Sequence, residues 1–125
     1  MANIMAVLLN GIAQLEYDRD KPLADHHALY LDKMDEKMDE GITLGTEKVT
    51  TPDLDARAKF VAGNLAHAIK SNNESMAAAL CSYLANRLPE LKQVKMDDTQ
   101  AEMAIEFIFD EEYRKQVQVK FSPLH

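Results

Sequence analysis

Apolar residues at Ile4, Val7, Leu8, Ile12 and Leu15 recur at helical spacing, and Met5 and Leu9 widen that stripe until two sides are apolar. The pattern predicts a buried first helix over about 4–16. The polar run Glu16 to Lys21 closes it, and Pro22 suits the first turn of a second helix, where its missing N–H has no partner to lose. That helix is predicted over about 22–40. Its inward stripe is Leu23, His27, Tyr30, Leu31, Met34 and Met38, and Gly41 is a natural left-handed stop. Residues 42–49 read as a connector, either a loop or a very small hairpin turning at Gly45.

Thr51-Pro52-Asp53 has the form of a helix start, with Thr51 as cap and an acid at the positive end of the dipole. Leu54, Ala58, Val61, Leu65 and Ile69 then mark a third helix over about 52–70. Ser71 to Glu74 has the S-x-x-E form of a capping box and opens a fourth helix, about 73–88, whose apolar side includes Met76, Leu80, Cys81 and Leu84. The short turn between helices three and four predicts an antiparallel pair.

After Pro89 the period changes from 3.6 to 2. Val94 and Met96, then Met103, Ile105, Phe107 and Phe109, then Val117, Val119 and Phe121 alternate with polar residues, which predicts strands over about 91–96, 102–109 and 115–121. The expected architecture is therefore a single two-layer α+β domain spanning 1–125: four helices followed by a three-stranded antiparallel β-meander that the helices cover on one face.

Composition narrows the function classes. The chain has 125 residues with 46% hydrophobic and 28% charged, which fits a folded globular protein better than a disordered or membrane one. Its net charge is −7, and residues 1–50 hold ten acidic against five basic side chains. Such a surface repels phosphate backbones, so nucleic-acid binding is not expected. The apolar start has no basic flank and is interrupted at Asn10, so neither a secretory signal nor a membrane span is expected, and the predicted location is the cytoplasm.

Candidate chemistry is sparse. Neither His26, His27 nor His67 has an acid, Cys or His three or four residues away, the spacing that two ligands on one helix require, so no metal site is expected. Asp32, Asp35, Glu36 and Asp39 share a helical side but are interleaved with Lys33 and Lys37, which reads as a solvated face. Cys81 lies among apolar neighbours and reads as a small core residue. The glycines are too scattered to form a phosphate loop, and no cofactor is expected.

Two function classes remain. The first is a protein that works through protein–protein interaction, as a homodimer or an accessory subunit, with Leu8, Ile12 and Leu15 of the first helix and Met34 and Met38 of the second as its surface. The alternative is an enzyme or small-ligand binder with an apolar pocket between helices and sheet, whose polar groups are His27, Tyr30 and His67.

Overall fold

The computed structural model describes residues 4–21, 23–44, 46–99 and 103–111. In chain order its elements are β1 (Ile4–Leu9), β2 (Ile12–Asp18), α1 (Asp25–Met38), β3 (Ile42–Leu44), β4 (Glu47–Val49), α2 (Leu54–Lys70), α3 (Glu74–Arg87), β5 (Gln93–Asp97) and β6 (Ala104–Ile108). The class is α+β, but the described residues form three helices, a mixed four-stranded sheet and a separate two-stranded one. This replaces the expected four helices and three-stranded meander. The expected strand at 115–121 lies outside the described residues.

The first predicted helix is a β-hairpin. Asn10 and Gly11 both have positive φ, 54° and 82°, the backbone of a type I′ turn whose twist matches that of the strands it joins. The pair Asn-Gly between two apolar runs is the local signal for this turn. The apolar spacing looked helical because β1 is central in the sheet: Met5, Ala6, Val7 and Leu8 are all buried, so both faces of the strand are apolar. A continuous apolar run of this length suits a buried strand as well as a buried helix.

The sheet order is β2-β1-β5-β6. β1 pairs antiparallel with β2, with a register shift between Val7 and Leu8, and parallel with β5, setting Val7 beside Val94 and Leu9 beside Met96. β5 and β6 form the antiparallel hairpin that the alternation predicts, with Val94 beside Phe107 and Met96 beside Ile105. β5's other neighbour, however, is a strand from the opposite end of the chain. Met5, Val7, Val94 and Met96 then share one core with Val61 and Leu65 of α2 and with Leu80 and Leu84 of α3.

The helix ends show where side chains take up free backbone donors. Asp53, not Thr51, caps α2, its carboxylate accepting from the Ala56 N–H at 2.8 Å. Asn73 caps α3 by accepting from the Met76 N–H at 3.2 Å, while Ser71 belongs to the end of α2 and donates its hydroxyl to the His67 carbonyl at 2.9 Å. β3 and β4 pair antiparallel, with Ile42 beside Val49. Arg19, just past β2, donates to the carbonyls of Ala85, Leu88 and Leu91. Its cation thus meets the negative end of α3 and ties the edge of the sheet to that helix.

Two glycines make opposite predictions. Gly11 holds a left-handed turn position, so Gly11→Ala should cost about 1 kcal/mol even though a methyl group there meets no neighbour among the described residues. Gly63 lies inside α2, also with no neighbour among the described residues where a methyl would go, so Gly63→Ala should add about 0.5–1 kcal/mol. Urea midpoints of the two variants should move in opposite directions from the parent. A fall for Gly63→Ala would show that its open space is not available to a side chain.

Candidate functional site

The inward side of α1 and the facing sides of α2 and α3 enclose an open cleft of about 730 Å³. Tyr30, Met34 and Met38 come from α1, four residues apart and therefore stacked along one face. Phe60, Asn64 and His67 come from α2 at similar spacing, and Met76 and Leu80 from the start of α3. The Asn64 amide donates to the Phe60 carbonyl at 2.9 Å, one turn back along its own helix. Polar groups at the rim include Lys37, Glu40, His67 and Asn73, so apolar walls are bordered by wet ones.

Several expected site residues thus meet, though not as the sequence arranged them. Met34, Met38, Tyr30 and His67 all line this cleft, uniting part of the expected interaction surface with two of the expected pocket groups. Met38 is buried, Met34 half-buried, and Tyr30 and His67 exposed. His27 is not among the lining residues. It is exposed at the start of α1 with its ring 4.1 Å from that of His26, so the inward stripe narrows to Leu23, Leu31, Met34 and Met38. Leu8, Ile12 and Leu15 form no common surface: they lie on two strands, Leu8 buried, Leu15 half-buried and Ile12 62% exposed. The reason is the hairpin: Ile12 and Leu15, an odd number of residues apart on β2, face opposite sides, and Leu8 lies on the other strand.

The side chains that hold the cleft's α1 wall were not foreseen. Asp35 accepts from the Tyr83 hydroxyl at 2.5 Å and from Arg57 at 3.1 Å on one oxygen, and from Arg87 Nε at 2.8 Å on the other. Arg57 also pairs with Asp39 and donates to the Asp35 and Pro52 carbonyls, and Arg87 reaches Asp32 at 2.8 Å. Asp32, Asp35 and Asp39 of α1 are therefore paired from α2 and α3; Asp32 and Asp39 stay exposed together with Glu36, as a solvated face requires, and of the four only Asp35 is half-buried at a helix junction. The partners lie 18 to 55 residues away in sequence, which leaves no local signal. Burial works against the charge on Asp35, but the hydrogen bonds from Tyr83, Arg87 and Arg57 outweigh it and hold the carboxyl below its ordinary range.

Elsewhere the chemistry is quiet. Cys81 is buried in the core, and that burial pushes its thiol up to about 12, so at neutral pH it stays protonated. Among the described residues no three His, Cys, Asp or Glu side chains are grouped to hold a metal ion. No described helix is long and apolar enough to cross a membrane. Comparisons with protein-family models, with curated proteins and with solved structures give no match.

The Asp35 junction predicts an acid-sensitive α1. Because the folded carboxyl titrates below the unfolded one, its contribution is complete above the unfolded value of about 3.9 and is lost as pH falls through the folded value. Asp35→Asn should lower stability by about 1–2 kcal/mol at neutral pH, since it weakens hydrogen bonds to a charged acceptor. The gap between its urea midpoint and the parent's should then narrow steadily as pH falls from about 4. A gap that stays constant down to the acid transition would show that Asp35 does not titrate differently in the folded state.

Proposed function

We propose that this protein acts by binding another polypeptide, as a homodimer or as an accessory subunit, and that the cleft between α1 and the α2–α3 pair receives the partner's apolar side chains. The observation that carries this reading is the composition of the wall. Met34, Met38 and Met76 line it beside Tyr30 and Phe60, and Tyr30 and Met76 remain 44% and 42% exposed. Methionine side chains are unbranched and polarizable, so they adapt to a docked surface that they do not have to match in advance. Large apolar groups left in water beside one another favour a covering partner. The net charge of −7 favours a polypeptide partner over a nucleic acid, and the acidic composition with one buried cysteine fits a cytoplasmic setting.

A second reading rests on the same cleft. Its volume of about 730 Å³ falls within the range of pockets that hold small ligands, and Tyr30 and His67 offer polar groups above an apolar floor. A photoreactive benzoylphenylalanine in place of Tyr30, irradiated in cells producing the full chain, separates the two. The expected product is a cross-link to a polypeptide, either a second copy or a distinct subunit, that Met76→Glu abolishes while the circular dichroism spectrum is retained. An adduct of small-molecule mass would favour the ligand reading. Equal cross-linking from a control position at exposed Lys48 would remove both.

A further inference from the structure

We propose that Met76 and Met34, which line the cleft from α3 and α1, are reversible oxidation sites, and that a peroxide, by converting their thioethers to sulfoxides, switches off docking there. The switch rests on the docking role given to the cleft above and adds its regulation.

Burial divides the methionines into two classes. Met5, Met38 and Met96 are 0%, 5% and 2% exposed and belong to the hydrophobic core. Met76 is 42% exposed, the most of any described methionine, and Met34 is half-buried; both line the cleft. Met103 is half-buried too, but it is not among the lining residues. A cleft of about 730 Å³ admits hydrogen peroxide, a molecule little larger than water, to side chains on its walls.

The chain's one cysteine does not compete for the oxidant. Peroxide attacks the thiolate form, whereas Cys81 is buried and its thiol is pushed up to about 12, so it stays protonated and out of reach. Oxidation is thereby steered to the cleft.

The step is an oxygen transfer. The thioether sulfur attacks one peroxide oxygen, the O–O bond breaks as the S–O bond forms, and the departing hydroxide takes the proton of the transferred oxygen to leave as water. Reversal needs a dithiol reductant: the sulfoxide oxygen leaves as water, the sulfur returns to a thioether, and the two thiols become a disulfide.

A sulfoxide is polar and accepts hydrogen bonds, so an apolar side chain that covers it buries an acceptor with no donor. Docking is lost for that reason. The fold survives because Met76 lies in the first turn of α3, at a margin where water meets the new oxygen, while the methionines whose oxidation would break the core are shielded.

The test treats the purified full chain with hydrogen peroxide and follows each methionine by peptide mass mapping. Oxygen is expected on Met76 first and on Met34 next, with Met76 about tenfold or more faster than Met5, Met38 and Met96, and with the circular dichroism spectrum unchanged. The chain carrying benzoylphenylalanine at Tyr30 is then oxidised, freed of peroxide and irradiated with the polypeptide that it cross-links in cells. Oxidation should lower the yield about tenfold, and methionine sulfoxide reductase with a dithiol should restore it. Met34→Leu combined with Met76→Leu keeps the walls apolar, so that chain should cross-link equally before and after peroxide. If Met76 reacts no faster than the buried methionines, or if the spectrum is lost with its oxidation, the proposal fails. Cross-linking that survives complete oxidation of Met76 and Met34, or that the Leu variant loses to peroxide as the parent does, overturns the switch and leaves the docking role standing. A chain that captures no polypeptide before oxidation removes the docking role itself, and the switch with it.

Discussion

The carboxylate of Asp35, which accepts hydrogen bonds from one side chain of α2 and two of α3, decides where α1 stands. Apolar burial alone offers that helix little. Two of its fourteen residues are buried, against six of seventeen in α2 and six of fourteen in α3. The junction with Arg57 and Arg87 therefore supplies a large part of what holds α1 over the core. It is built from partly exposed charges that satisfy one another, and this limits the desolvation cost that a fully buried set would meet.

An element held this way leaves space beside it. α1 contacts the α2–α3 layer through Leu31, Met38 and the charged junction, and between these points the cleft opens, walled by methionines and not by close-packed branched side chains. Regions with few buried apolar contacts are the ones that open at low free-energy cost, so α1 is the helix best placed to adjust to a ligand or partner. The same arrangement explains why Tyr30 and Met76 are exposed: they belong to a surface that the described residues do not close.

The other end of the molecule is rigid for a complementary reason. β1 is hydrogen-bonded on both sides and buried on both faces, and Arg19 fastens the end of β2 to the last carbonyls of α3. Sheet, α2 and α3 thus share one core around Val7, Val61, Leu84 and Val94. Against that frame α1 and the β3–β4 pair are peripheral, and the cleft lies where α1 meets α2.

What depends on neighbours in the chain is legible without any coordinates. Three helices appear within a few residues of their predicted places because the 3.6-residue spacing of Leu31 and Met38, of Val61 and Leu65, and of Leu80 and Leu84 records a single buried face. The β5–β6 hairpin was legible from alternation, and Cys81 as a core residue from its neighbours. The β1–β2 hairpin was written locally too, in Asn10-Gly11, but a strand buried on both faces loses the alternation that marks it, and its continuous apolar run imitates a helix. Met34, Met38, Tyr30 and His67 were legible as candidates one by one, whereas their meeting in one cleft depends on the packing of α1 against α2. The parallel pairing of β1 with β5 and the meeting of Asp35 with Tyr83, Arg57 and Arg87 emerge in three dimensions alone. Both join residues far apart in the chain, and a hydrogen bond between distant residues imposes no spacing on either of the segments that make it.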